Sequence, residues 1–264
     1  MRPFATDSIA AGYATSRPAV HPRVLDLVRP HLRHFGRARR ALDVGCGAGL
    51  STRALQGFAD QCIGLEPERA MLRWAPSVAP GAEFVAGSAE VLPLAGRSVD
   101  LMTAAGSLNY VRLEPFFREA ARVLVPEGVL VVYDFSPGTS LRQTAKLDQW
   151  FEEFSNRYPL PAGEARPLDP ETLAGLDLGF CVWRHERFEI GLTLTPEFYL
   201  DYMMTESSVA AAVRGGVPRE EIRSWCGASL GPIWEGREHE VIFRGYWACM
   251  GQIRGSGPHA VSCR

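Results

Sequence analysis

The chain has 264 residues, 46% of them apolar and 22% charged, with a formal net charge of −2. That is enough chain for one large α/β domain with a small appendage, and enough apolar side chain to fill its core. The balanced charge leaves no electrostatic footprint for nucleic acid, no run reaches the roughly 18 apolar residues of a membrane span, and the opening residues lack the apolar stretch of a secretory signal.

Val20, Val24, Leu27, Val28 and Leu32 recur at helical spacing and predict a helix over 17–35. With the residues before it, this forms an expected N-terminal helical cap, 1–36. From 37 to 136 strand-like and helix-like pieces alternate. Strands are expected at 41–44, 62–66, 82–87, 99–105 and 128–135, with helices at 50–58, 68–74 and 113–124. The last of these strands, GVLVVYDF, has no polar alternation, as befits a strand covered on both faces. Such alternation predicts a mostly parallel sheet with helices on both sides.

The character changes after Phe135. The turn cluster SPGTS, an amphipathic stretch over 141–158 and the proline-rich PLPAGEARPLDP read as an insertion. The segment 137–205 is therefore expected to be a lid plus a sixth strand at 181–192, within the same domain. Thr195-Pro196-Glu197 opens a helix through Met204, with threonine as cap and proline in the first turn. A helix over 218–230 and a strand at 240–250 occupy 206–250, and 251–264 is read as a frayed tail.

The six cysteines, at 46, 62, 181, 226, 249 and 263, form no C-x-x-C pair, and none has a histidine at zinc-ligand spacing. A reduced, cytoplasmic protein without a metal is expected. The basic cluster Arg37, Arg39 and Arg40 reads as a solvated approach to the first strand.

The stretch ALDVGCGAGL, 41–50, sets glycines at 45, 47 and 49 directly after a strand and before a helix. Glycine permits positive φ and close approach of a ligand to the backbone, and a helix N-terminus offers unpaired N–H groups. The second strand ends in Glu66, an acid placed to accept from both hydroxyls of a ribose at the carboxyl edge of the sheet. Nicotinamide cofactors use a similar pair, but their fingerprint is G-x-G-x-x-G. Here the spacing is G-x-G-x-G, and Asp43 stands two residues before the first glycine. A carboxylate there suits a ligand with an amino group, and S-adenosylmethionine fits.

LDVGCGAG resembles the first motif of the class I S-adenosylmethionine-dependent methyltransferases, with Asp43, Gly45, Gly47 and Gly49 at the family positions. Glu66 in GLEPE matches the ribose-binding acid. GSAEVLPLAGRSVDLMTAAGSLNYV, 87–111, resembles the adenine segment and fourth strand, and EAARVLVPEGVLVVYDF the following helix and fifth strand. Tyr13 to Pro18, Y-x-x-x-R-P, is similar to the cap of the small-molecule branch related to ubiquinone-biosynthesis methyltransferases, the methyltransferase-11 type. The resemblance covers 10–136 well and later residues only in the order of elements. Two positions depart from it: Ser88 stands where an aspartate is common, with Glu90 as a substitute, and Pro126-Glu127-Gly128 replaces Pro-Gly-Gly.

The resemblance implies a Rossmann-like, seven-stranded sheet of order 3-2-1-4-5-7-6. It implies that Glu66, beside Pro67, takes the ribose, and that Gly45, Cys46, Gly47 and Gly49 line the ribose and methionine. Asp43 would orient the amino group, directly or through water. Ser88, Ala89 and Glu90 would face adenine, and Ala105 and Ser107 would lie near the sulfonium. Tyr13 and Arg17 either contact the methionine carboxylate or simply pack the cap.

The implied function is methyl transfer from S-adenosylmethionine to a small organic acceptor at O, C or N, leaving S-adenosylhomocysteine, by positioning and without a metal. Catalytic candidates are thin: Asn109 and Tyr110 after strand four, and His185 in strand six. His21, His31 and His34 read as structural. The aromatics Trp150, Phe151, Phe154, Tyr158, Trp183, Phe198, Tyr199 and Tyr202 are either a pocket for an apolar or aromatic acceptor or the core of the lid. Two other classes stay open: a repurposed or non-catalytic S-adenosylmethionine protein, and an NAD(P)-dependent oxidoreductase. The acceptor and the oligomeric state are not written in the sequence.

Overall fold

The computed structural model describes residues 7–160 and 165–253. The start of the expected cap, Cys263, most of the expected tail and the side chain of His34 lie outside what is described. In chain order the elements are α1 (Asp7–Thr15), α2 (Val20–Val28) continued by a 3-10 turn (Arg29–Phe35), β1 (Ala38–Val44), α3 (Leu50–Leu55), β2 (Ala59–Glu66), α4 (Arg69–Leu72), α5 (Ala75–Val78), β3 (Glu83–Ala86), β4 (Val99–Ala105) and a 3-10 turn (Ser107–Tyr110). There follow α6 (Leu113–Val123), β5 (Leu124–Phe135), β6 (Ser140–Leu141), α7 (Lys146–Arg157), α8 (Pro170–Ala174), β7 (Phe180–Leu194), α9 (Pro196–Met203), α10 (Ser207–Arg214), α11 (Arg219–Trp234) and β8 (His239–Gln252). Two compact units divide the chain: His21–Phe135 with Ala165–Phe188 and Gly245–Arg264, and Met1–Val20 with Ser136–Glu164 and Glu189–Arg244.

The first unit holds the sheet that carries the glycine loop. β1 pairs in parallel with β2 and β4, β2 with β3, and β4 with β5. β8 closes it antiparallel to β5, from Leu130↔Met250 to Phe135↔Gly245. The order β3-β2-β1-β4-β5-β8 reverses direction between β1 and β4. Ligands of open α/β sheets bind at such a switch point, off the carboxyl ends of the strands. The core is apolar from end to end: Leu42, Val44, Leu65, Met102, Leu130 and Val132 in the strands meet Phe116, Phe117, Ala120 and Val123 on one face of α6. On the other face of α6, Glu114 and Arg118 pair at 2.9 Å, one turn apart.

The order differs in part from the expected 3-2-1-4-5-7-6: the path runs on from β8 to β6, and β7 pairs with β8 off that path. Among the described residues the sheet has eight strands and not seven. The extra one, β6, has two residues and pairs with Val241 and Ile242 of β8; so short a piece has no periodicity to read. The expected helix over 17–35 ends at Val28 and tightens into a 3-10 turn. Pro30 has no N–H to give and disfavours the α region for the residue before it. The helix expected at 68–74 is shortened to α4, and a separate short helix, α5, follows with a proline in its first turn. α11 runs on to Trp234 past Pro232, because Leu230 and Trp234, one turn apart, are both buried.

The second unit has an aromatic core. Trp150 stacks on Phe154 and on Trp225, with ring centroids 5.2 and 5.9 Å apart, and Tyr199 lies 5.3 Å from Trp234. The indole N–H of Trp150 donates to Ser229 Oγ at 2.7 Å. α9 opens as its sequence predicts, with the Phe198 N–H donating to Thr195 Oγ1 at 3.1 Å. Trp150, Phe154, Tyr158, Tyr199 and Tyr202 are all buried, so these five are core of the unit. Among the described cysteines, Cys46, Cys62, Cys226 and Cys249 are free, while Cys181 is disulfide-bonded, which departs from the expectation of reduced thiols. Among the described residues, no helix is long and apolar enough to cross a membrane.

Candidate functional site

β1 ends at Val44, and the chain crosses five residues into α3. The N–H groups of Gly45 and Cys46 both donate to the Leu65 carbonyl, at 2.8 and 3.0 Å, so the loop is stitched to β2. The glycines serve different needs. A Cβ on Gly45 would lie 2.3 Å from Ser107 Cβ, which makes this glycine a packing requirement against the end of β4. Gly47 has φ +54 and open space where a Cβ would point. Gly49 caps α3 and sits against Ala75. Ser107 fixes the contact from its own side by donating to the Val44 carbonyl at 2.6 Å.

Glu66 ends β2 and is buried. Its Oε2 accepts from the Gly47 N–H at 3.0 Å and its Oε1 from the Glu68 N–H at 2.9 Å. Each oxygen keeps one lone pair, so the carboxylate still has an acceptor for each of two hydroxyls. Burial pushes this carboxyl above the usual range, and the two backbone N–H groups pull it partway back. Pro67 follows, exposed.

Asp43, expected to orient the amino group directly or through water, is enclosed by hydroxyl groups. Its side chain is 0% exposed, and it accepts from Ser51 Oγ at 2.6 Å, Thr52 Oγ1 at 2.7 Å and Thr103 Oγ1 at 3.0 Å. A group so enclosed meets no ligand amine directly; it fastens the first turn of α3 to β1 and β4. Burial raises its pKa, against the pull of the three hydroxyls. Cys46 is also buried, its thiol pushed up by desolvation and then by Asp43 and Glu66.

Beyond β3, the Ser88 hydroxyl donates to Glu90, whose own N–H donates back to Ser88 Oγ at 3.2 Å. Glu90 Oε1 also accepts from the Arg112 N–H at 3.1 Å. Burial pushes Glu90 up, but these donors outweigh it and hold the carboxyl below the usual range. Ala89 between them is buried. Ser88 and Glu90 thus act as one turn, with the charge on Glu90.

At the far side of the edge, Ala105 ends β4 and the 3-10 turn presents Asn109. Its Nδ2 donates to Asp134 Oδ2 at 2.7 Å. Tyr110 is 50% exposed, and His185 lies exposed on β7 among Arg184, Glu186 and Arg187. Asp134 is absent from the sequence reading. It stands at the end of an apolar strand, and only the register of β4 and β5 brings it to Asn109. His21, read as structural, sits with its Nδ1 3.0 Å from the Tyr133 hydroxyl. Tyr13 and Arg17 belong to the second unit. The Arg17 guanidinium lies 4.0 Å over the Tyr13 ring and 3.1 Å from Glu206, and donates to the Thr205 carbonyl at 3.0 Å. Its charge is matched there. Among the described residues, no group of three or more His, Cys, Asp or Glu side chains could hold a metal ion.

Residues 42–132, which carry the glycine loop, Glu66 and the 88–90 turn, match the model of the methyltransferase domain family. A protein assigned as a methyltransferase in Dictyostelium discoideum is 25% identical over 168 residues, 62% of each chain. The ubiquinone/menaquinone biosynthesis C-methyltransferase of Campylobacter jejuni is 33% identical over 102 residues, 36% of this chain and 43% of that one. These matches span less than two thirds of the relatives' own lengths. A solved structure assigned as a type II methyltransferase, from Anaeromyxobacter dehalogenans, superposes with a TM-score of 0.66 at 23% identity, covering 86% of this chain and 97% of that one. Residues 42–132 are therefore similar to the methyltransferase domain family, and the chain shares a Rossmann-like fold with the solved structure, in line with the resemblance read from its sequence.

Proposed function

We propose that this chain, similar over residues 42–132 to the methyltransferase domain family, transfers a methyl group from S-adenosylmethionine to a small organic acceptor. The observation that carries the reading is the pairing of Glu66 with an open glycine. Glu66 Oε2 is anchored on the Gly47 N–H at 3.0 Å, with acceptor capacity left for a ribose, and nothing lies within 4 Å of where a Gly47 side chain would begin. That open backbone beside an acid suits a nucleoside. When bound, S-adenosylmethionine supplies an already activated methyl, so the chain's work is to hold, orient and exclude water. Glu66 would hold the ribose. The 45–49 loop and Ser107 would line its neighbour, and the turn of Ser88, Ala89 and Glu90 would face the base. Asp43 would act through the loop it fastens.

Calorimetric titration of the full chain with S-adenosylmethionine, followed by tritiated-methyl transfer to a panel of phenols, amines and carboxylic acids, tests the reading. Micromolar binding that Glu66→Ala weakens is the expected result. Absence of binding, or displacement of the ligand by NAD, would overturn it.

A further inference from the structure

Four parallel strands bring one row of residues to the carboxyl edge. Val44 pairs with Leu65 and with Ala104, and Ala105 pairs with Tyr133. Glu66, Gly45, Ala105 and Tyr133 therefore stand abreast, and Asp134 is the next residue beyond on β5. From β2 to β5 is three strand spacings, about 14 Å. A donor whose sugar sits at Glu66 and whose chain crosses the β1 loop points its reactive end toward β4 and β5.

The local structure makes room for Asp134. Gly106, with φ +65, turns the chain out of β4, and a Cβ there would meet Asp134 Oδ1 at 2.9 Å. The carboxylate is held from two sides: Oδ2 by Asn109 Nδ2 at 2.7 Å and Oδ1 by the Phe135 N–H at 2.8 Å. Asn109 is itself fixed, its Oδ1 accepting from the Leu168 N–H at 3.3 Å and its carbonyl from the Arg166 N–H at 2.9 Å. Each Asp134 oxygen keeps a free lone pair, and the residue remains partly exposed. Among the described residues no arginine, lysine or histidine forms an ion pair with it.

Resting on the function proposed above, we infer that Asp134, positioned by Asn109, is the anion at the reacting end of the edge. It balances the sulfonium charge and then takes the proton that an O–H or N–H acceptor gives up. The balance is simple. The acceptor atom bonds to the methyl carbon, the sulfur–carbon bond breaks with its electron pair left on sulfur, and the acceptor's proton ends on Asp134. The titratable groups facing Asp134 are Tyr246, its partner across β8, and Tyr133 beside it, whose hydroxyl meets His21. Burial holds both tyrosines above their usual range, so they stay neutral. Burial also raises Asp134, against the pull of Asn109 and the Phe135 N–H. A sulfonium alongside lowers it again, and loss of that charge on transfer raises it as the proton arrives.

Two measurements on the full chain test this. In calorimetry, Asp134→Asn should raise the ratio of the dissociation constants for S-adenosylmethionine and S-adenosylhomocysteine about tenfold, because only the first is cationic. In carboxyl 13C NMR of the wild-type chain, the Asp134 signal should titrate at lower pH with S-adenosylmethionine bound than with S-adenosylhomocysteine, and Asn109→Ala should move the titration up in both. An unchanged ratio, or a titration indifferent to which ligand is bound, overturns the inference. The wild-type comparison of the two ligands by NMR does not depend on any variant folding. A wild-type chain that binds neither ligand sinks the proposed function itself, whereas binding that Glu66→Ala weakens and Asp134 ignores sinks this inference alone.

Discussion

The carboxylate of Glu66 holds the glycine loop in place: its Oε2 accepts from the Gly47 N–H at 3.0 Å while its Oε1 accepts from the Glu68 N–H at 2.9 Å. The acid at the tip of β2 and the backbone after β1 are thus one device. Glu66→Ala removes the charge offered to a ribose and also frees the Gly47 N–H. Binding of S-adenosylmethionine should weaken by about 1–3 kcal/mol, the range for charge-assisted hydrogen bonds lost from a partly buried acceptor. Calorimetry checks this, with Glu66→Asp as a control that keeps the charge but shortens the reach.

The same carboxylate gives binding a pH dependence. Burial raises the Glu66 pKa, and two hydroxyl donors favour its ionised form. Ligand binding therefore lowers that pKa and releases a proton. Affinity should rise with pH through the titration of Glu66, by at most tenfold per unit, and level off above it. Below that range the carboxyl is protonated and the dependence flattens again. Glu66→Gln should abolish the slope; a slope that survives in this variant would assign it to another group.

Much of this edge is legible in the sequence, and the reasons are local. Glycines alternating after an apolar run, and an acid at the end of the next strand, are neighbours in sequence before they are neighbours in space. What stays hidden depends on register. Asp43 looks like a ligand for an amine until β4 delivers Thr103 to its far oxygen at 3.0 Å. Asp134 looks like the polar end of a buried strand until Asn109, 25 residues away, reaches it. The two-residue β6 exists only because Val241 and Ile242 offer it an edge. The aromatics of α7 and α9 announced burial, but only their mutual packing with Trp225 and Trp234 decides between core and pocket.

Asp43 should control folding more than chemistry. Asp43→Ala leaves three buried hydroxyls without their acceptor and should cost about 3–5 kcal/mol in urea unfolding. Asp43→Asn keeps an acceptor and should cost far less. The pH profiles should also differ. The folded pKa of Asp43 is raised by burial, so its contribution to stability is complete below the unfolded value of about 3.9 and is lost as pH rises through the folded one. The asparagine variant has no such titration, so its stability relative to wild type should improve as pH rises from about 4 toward neutrality. A difference that is flat in pH would mean Asp43 ionises in the folded protein as easily as in the unfolded one.

Two glycines only two residues apart should fail in different ways. Gly45 faces Ser107, with a new Cβ only 2.3 Å from that residue's Cβ, whereas Gly47 faces open space. Both have positive φ, +71 and +54, so alanine at either site carries the strain of a left-handed conformation, about 1–3 kcal/mol. At Gly45 a steric clash with Ser107 is added, about 1–3 kcal/mol more. Gly45→Ala should therefore show the larger fall in unfolding free energy, and Gly45→Ala combined with Ser107→Gly should recover the clash but not the strain. Gly47→Val, by contrast, fills the space beside Glu66 and should weaken S-adenosylmethionine binding more than tenfold in a chain that still folds. Melting temperature and calorimetric affinity, measured on all of these variants, separate the two effects. If Gly47→Val binds like the wild type, the open backbone at 47 is not where the nucleoside lies. Recovery in the Gly45–Ser107 double variant would still stand, because it depends only on how the loop packs against β4.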